Sequence, residues 1–138
     1  MNEKKNILVV FGTRPEVIKL APVILELRKY DEYNVIVCNT EQQKELSNQT
    51  LEYFGLKADI NLDCMRPNQP LAEIQSRILL SLDKVFNEQS IDATIVQGDT
   101  MTVLTGALVS FYHKVPVFHV EAGLRSYDIY EPSPEEVM

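Results

Sequence analysis

Asn6-Ile7-Leu8-Val9-Val10-Phe11-Gly12-Thr13-Arg14-Pro15-Glu16-Val17-Ile18-Lys19-Leu20 is the stretch that decides the fold. It opens with an unbroken apolar run, rich in β-branched residues, as expected of a strand buried on both faces. Gly12 permits a sharp turn after Phe11. Thr13 and Glu16 then have capping-box spacing, and Pro15 is tolerated in a first helical turn. A buried strand leading directly into a capped helix is the start of a βαβ unit.

The rest of the chain repeats that alternation. Strands are expected at Ile7 to Phe11, Val35 to Asn39, Ala58 to Leu62, Ala93 to Val96 and Val115 to Val120. Helices are expected from Arg14 to about Tyr30, Lys44 to Phe54, Leu71 to about Asn87 and Met101 to Tyr112. In the third helix Leu71, Ile74, Ile78, Leu82 and Val85 recur at helical spacing. Pro22 should bend the first helix. Ser133-Pro134-Glu135-Glu136 has the pattern of a further helix about to begin. Strands spaced by helices imply right-handed crossovers, hence an α/β, Rossmann-like, mainly parallel sheet flanked by helices.

Composition narrows the class. The 138 residues fit a single domain, 1–138, that is large enough for one core. They are 45% hydrophobic and 24% charged, ordinary for a globular protein. The net charge of −7 argues against general nucleic-acid binding but leaves room for an anionic ligand held by local cations. No apolar run approaches the roughly 18 residues of a membrane span. The first apolar run is shorter than a signal sequence requires, and Gly12-Thr13-Arg14 ends it, as expected for a cytoplasmic protein. Cys38 and Cys64 lack metal-ligand spacing and read as buried free thiols. There is no G-x-G-x-x-G and no Walker A run, which argues against a nicotinamide or flavin dinucleotide.

Four places could carry chemistry. At Gly12-Thr13-Arg14, free backbone amides and the helix dipole are expected to form an anion site, with Arg14 adding a forked cation. The alternative there is simply a well-capped helix. Lys19 lies in an otherwise apolar stretch, where it either snorkels to water or lends charge to the same pocket. Asp99, in Gln97-Gly98-Asp99-Thr100-Met101-Thr102, leaves a buried strand as either a helix cap or a functional carboxylate, whereas Thr100 and Thr102 read as capping groups. The run His119-Val120-Glu121-Ala122-Gly123-Leu124-Arg125 puts ionisable groups just past a strand. There His119 is a hydrogen-bonded structural histidine or a site residue, and Glu121 needs a partner, for which Arg125 is a candidate. Glu135 and Glu136 would gain from a helix dipole without any function. What the four share is their expected position at strand carboxyl ends, where open α/β sheets bind ligands.

Phe11 to Val23 (FGTRPEVIKLAPV), Gln97 to Tyr112 (QGDTMTVLTGALVSFY) and His119 to Glu136 (HVEAGLRSYDIYEPSPEE) together resemble the amino-terminal domain of the non-hydrolysing UDP-N-acetylglucosamine 2-epimerases. The likeness runs in order and spacing over essentially the whole chain. It implies one half of a two-domain glycosyltransferase-B type fold with its active site in the cleft between domains. It also implies interconversion of UDP-GlcNAc and UDP-ManNAc for bacterial surface polysaccharide, by elimination of UDP to 2-acetamidoglucal and its return. Carried over by motif, Arg14 and Lys19 are the cations for the diphosphate, and Asp99, Glu121 and Glu135 are the carboxylates for proton transfer or for holding the glucal. His119, Arg125 and Gln42 are implied substrate contacts. No cofactor and no metal are implied. The implied partners are a UDP-sugar and either a second copy or the absent carboxyl-terminal domain, with neither nucleic acid nor membrane.

The chain also departs from the family pattern. Gln43 stands where a histidine is usual, Asn68 where an arginine is, and Ser133 where a tryptophan is. The first two bear on activation by a second substrate molecule. Rival expectations are a non-catalytic nucleotide-sugar-binding or interaction module, and a sugar-transferring enzyme of the same architecture. Because half of the cleft is missing, the chain alone is expected to be inactive.

Overall fold

A computed structural model describes residues 3–121. Their elements are β1 (Lys5–Phe11), α1 (Arg14–Leu27), β2 (Tyr33–Asn39), α2 (Lys44–Tyr53), β3 (Ile60–Asn61), α3 (Leu71–Glu88), β4 (Ala93–Gln97), α4 (Met101–Tyr112) and β5 (Val117–Val120). The nine elements expected within these residues are all present. The third strand shrinks to two residues, and the helix expected at Ser133 lies outside the described residues.

The sheet is parallel, in the order β3-β2-β1-β4-β5. The chain steps one way from β1 to β3, crosses back through α3, then steps the other way from β4 to β5. Because each crossover is right-handed, reversing the direction of travel moves the helices to the opposite face. The core accordingly has two layers. Ile7, Val9 and Phe11 of β1 pack with Val17, Leu20 and Ile24 of α1. Leu8 and Val10 pack on the other side with Ile78 and Leu82 of α3 and Val109 of α4. This is why the β1 sequence is continuously apolar: both faces of the strand are covered. Each such buried side chain contributes roughly 1.5–3 kcal/mol.

The helix α1 runs through Pro22 without interruption. Pro22 is exposed, so the carbonyl it leaves unbonded one turn earlier lies on the wet face, where water can satisfy it. Cys38 and Cys64 are buried free thiols, as expected, and burial raises both above the usual thiol range. Among the described residues no helix is long and apolar enough to cross a membrane.

Gly12 is required for a reason other than backbone freedom. A Cβ there would lie 2.1 Å from Thr40 Oγ1 and 3.0 Å from Thr102 Oγ1. Those two hydroxyls bond each other at 2.9 Å and join the loop after β2 to the first turn of α4 across the end of β1. Gly12→Ala must break that bond or shift β1. It should lower stability by roughly 1–3 kcal/mol in urea titration. Unchanged stability would show that the loops yield freely.

Candidate active site

The reversal of direction at β1 opens a crevice at the carboxyl ends of β1 and β4, the place where ligands bind in such sheets. The loops after β1, β2 and β4 meet there with Glu121, just past β5, and each brings polar groups to a strand end.

Glu16 forms the floor. Its side chain is 1% exposed. Its Oε1 accepts the backbone N–H of Gly12 at 3.2 Å, that of Thr13 at 3.0 Å and the Thr13 hydroxyl at 2.7 Å. Its Oε2 accepts the Thr100 hydroxyl at 3.2 Å, across 84 residues of sequence. Burial pushes the carboxyl up to about 7, against the opposing pull of these four donors.

These bonds correct one expectation. The amides of Gly12 and Thr13 are taken by Glu16, and that of Arg14 donates to Gln43 Oε1 at 2.9 Å. The start of α1 is therefore closed by the chain's own groups and is not an open anion cradle. Charge for an anion has to come from side chains. Arg14 and Lys19 are both exposed near this end of α1, and neither is buried in the core.

Lys19 does more than reach water. Its Nζ pairs with Glu121 Oε2 at 3.3 Å, and Gln97 Nε2 donates to the same oxygen at 2.6 Å. Groups from α1, β4 and the end of β5 thus converge on one carboxylate. The pair is half exposed and adds little stability, about 0–1 kcal/mol. Glu121 also sits in the left-handed region, at φ 59°, a conformation costing roughly 1–2 kcal/mol in a non-glycine residue. Strain of this kind concentrates at functional sites. Lys19 and Gln97 fill the partner role for which Arg125 was a candidate; Arg125 itself, with Glu135, lies outside the described residues.

Asp99 is exposed and, among the described residues, has no ion-pair or side-chain hydrogen-bond partner. It is not the cap of α4. Thr100 is, accepting Val103 N–H at 3.4 Å, which leaves the Asp99 carboxylate available to a ligand. Thr102 is not a cap either: its hydroxyl bonds Thr40 and the Gln42 side-chain oxygen. Gln42 is half-buried, and with Thr13, Gln43, Thr100, Met101, Leu71 and Ile74 it lines a cavity of about 300 Å³. His119 is exposed, and its Nε2 bonds the Gly98 carbonyl at 2.6 Å, the structural alternative foreseen for it.

Sequence reasoning missed Gln97, Glu16 as a link between loops, and Glu41. Gln97 carried one signal: a polar residue closing an apolar strand. Glu41 carried none, being buried at φ 65° where it accepts Asn48 Nδ2 at 2.9 Å and Asp63 N–H at 3.1 Å. Among the described residues no three His, Cys, Asp or Glu side chains gather as a metal site.

A parallel sheet whose carboxyl edge carries cations beside carboxylates has the arrangement at which open α/β sheets bind ligands. Comparison with known proteins makes the class specific. A family profile described as UDP-N-acetylglucosamine 2-epimerase matches residues 25–138. A UDP-N-acetylglucosamine 2-epimerase of Neisseria meningitidis serogroup A is 50% identical over 130 residues, and one of Bacillus subtilis is 46% identical over 135. A crystal structure of the N. meningitidis UDP-GlcNAc 2-epimerase bound to UDP-GlcNAc superposes with a TM-score of 0.89 at 49% identity, covering 96% of this chain and 36% of that one. S. aureus MnaA in complex with UDP superposes at 0.91 and 44% identity, covering 96% and 35%. The chain belongs to the UDP-N-acetylglucosamine 2-epimerase family. It covers 94% and 98% of its own length in the two sequence matches but only 35% and 36% of those relatives.

The raised Glu16 pKa sets a pH dependence. The folded state holds this proton more tightly than the unfolded chain, whose value is near 4.5. The stabilisation is therefore complete below that pH and lost as pH rises through about 7, where it amounts to roughly 3 kcal/mol. Glu16→Gln should remove this loss and flatten the profile between pH 5 and 8 in urea titrations. Parallel profiles for the variant and the parent would contradict the assignment.

Proposed function

We propose that the whole protein interconverts UDP-GlcNAc and UDP-ManNAc by eliminating UDP and the C2 proton to give 2-acetamidoglucal, then returning UDP to C1 and a proton to the opposite face of C2. The observation that carries this reading is the Lys19–Glu121–Gln97 arrangement, which joins a cation, a carboxylate and a carboxamide at one strand end. The relatives bound to UDP-GlcNAc and UDP support the choice of ligand.

The reaction is a net isomerisation, so no electrons leave the substrate and no redox cofactor is required. The diphosphate is the leaving group, and Arg14 and Lys19 neutralise the charge it gains. The proton at C2 is weakly acidic, so a positioned base is needed on each face. Glu121, fixed in place by Lys19 and Gln97, suits that role. Asp99 and Glu135 are the further carboxylates for proton transfer or for holding the glucal, and His119, Arg125 and Gln42 are substrate contacts.

Residues 1–138 act in this reading as a single domain that forms one wall of the cleft, the other wall coming from a second domain or a second copy. The setting is cytoplasmic supply of activated sugar for surface polysaccharide. Alone, the domain should bind without turnover, because an open half-cleft does not exclude water. A second reading is a nucleotide-sugar-binding module without catalysis.

A chimera decides between them. Residues 1–138 replace the matching segment of the N. meningitidis enzyme, and UDP-GlcNAc is supplied in deuterated buffer. UDP-ManNAc carrying deuterium at C2 is expected, and Glu121→Gln or Asp99→Asn should slow its formation by about 10²–10⁴-fold. A folded chimera that binds without turnover would support the binding module. Acceptor-dependent release of UDP would mean sugar transfer instead.

A further inference from the structure

Glu16 is a buried carboxylate that the proposed proton transfers leave unused. Its two oxygens are unequal: Oε1 accepts three donors, whereas Oε2 accepts only the Thr100 hydroxyl. A proton arriving on the carboxyl therefore goes to Oε2. Thr100 faces three ways at once. Its hydroxyl donates to Glu16, its oxygen accepts Val103 N–H at the start of α4, and its side chain lines the cavity shared with Thr13, Gln42 and Gln43.

We propose that Glu16 is a positioning residue whose proton sets the direction of the Thr100 hydroxyl, toward the carboxylate when Glu16 is ionised and into the cavity when it is neutral. This deepens, and rests on, the reading of this edge as a nucleotide-sugar site. With Glu16 ionised, Thr100 spends its one hydrogen on Oε2. With Glu16 protonated, Oε2–H donates to Thr100 Oγ1, the bond between them reverses, and the threonine hydrogen is released to meet an acceptor in the cavity. A diphosphate there is such an acceptor, and its negative charge further favours the neutral carboxyl. Binding then takes up as much as one proton per ligand from solvent, and affinity falls as pH rises.

The groups around Glu16 permit this. Gly12 and Thr13 of its own loop and Thr100 of the β4–α4 loop are neutral. The ionisable groups of the loops and helices that meet here are Arg14 and Lys19 on α1, Glu41 after β2, Asp99 before α4, and His119 and Glu121 at β5. Among the described residues none of them bonds the Glu16 carboxylate. The carboxyl itself, near 7, is poised to change state at neutral pH.

The test begins without ligand. In a ¹⁵N-labelled sample taken from pH 5 to 9, the amides of Gly12, Thr13 and Val103 should move with one common midpoint near 7. Glu16→Gln should abolish the movement. Thr100→Val, which removes a donor that stabilises the carboxylate, should raise the midpoint. A flat Val103 amide, or a titration that survives Glu16→Gln and disappears in His119→Asn, would overturn the proposal. Calorimetry with UDP-GlcNAc in two buffers of different ionisation enthalpy follows, since its esterified diphosphate does not titrate in this range. Between zero and one proton should be taken up by the parent chain and none by Glu16→Gln. Binding without Glu16-dependent uptake would overturn the link to the ligand. No binding at all, with the amide titration intact, would instead sink the nucleotide-sugar reading and leave the proton-dependent hydroxyl standing.

Discussion

Everything at the candidate site depends on the chain leaving β1's neighbourhood in two directions. Right-handed crossovers place α1 and α2 on one face and α3 and α4 on the other, and only between β1 and β4 do the helices diverge. The loops after β1, β2 and β4, and Glu121 just past β5, then lie along that gap. The Phe11–Asn39 and Gln97–Val120 pairings fix how far each strand runs before its loop begins. A slip of one residue would turn every side chain of β1 to the wrong layer and remove Gly12 from beside Thr40.

The polar groups at this edge divide into two sets by burial. The inner set, Glu16 with Thr13, Thr100, Thr40, Thr102 and Gln42, is tied together by bonds that span three loops. It gives the edge its shape and leaves little backbone donor capacity at the start of α1. The outer set, Arg14, Lys19, Asp99 and Glu121, is exposed at the rim. In a chain with a net charge of −7, attraction of an anion has to be local, and Arg14 and Lys19 are exposed cations near the start of α1. Their usefulness depends on the inner set holding α1 in place.

The sequence announced the fold wherever the signal was local. The apolar run at β1, the helical spacing in α3 and the turn after Phe11 each follow from short-range physics. The strand at Ile60–Asn61 was hard to delimit because an edge strand of two residues has no periodicity to read. At the site, residue types and strand-end positions were legible, as Lys19, Asp99 and Glu121 show. Partnerships were not. The exception is the capping-box bond from Thr13 N–H to Glu16; that Glu16 also holds Thr100, or that Thr102 reaches the loop after β2, depends on contacts between residues 60 or more positions apart. Lys19 was legible as an oddity in an apolar stretch, but only the arrival of β5 shows where its charge is used.

The central claim is that the gap between β1 and β4 is where this domain meets a nucleotide sugar. The most direct measurement is a map of amide chemical-shift changes on adding UDP-GlcNAc to the labelled chain. Changes concentrated at Arg14, Lys19, Gly98 to Thr100 and Glu121 are the expected result. Changes confined to the amino-terminal edge of the sheet or to the outer faces of α3 and α4, or none at millimolar ligand, would contradict it.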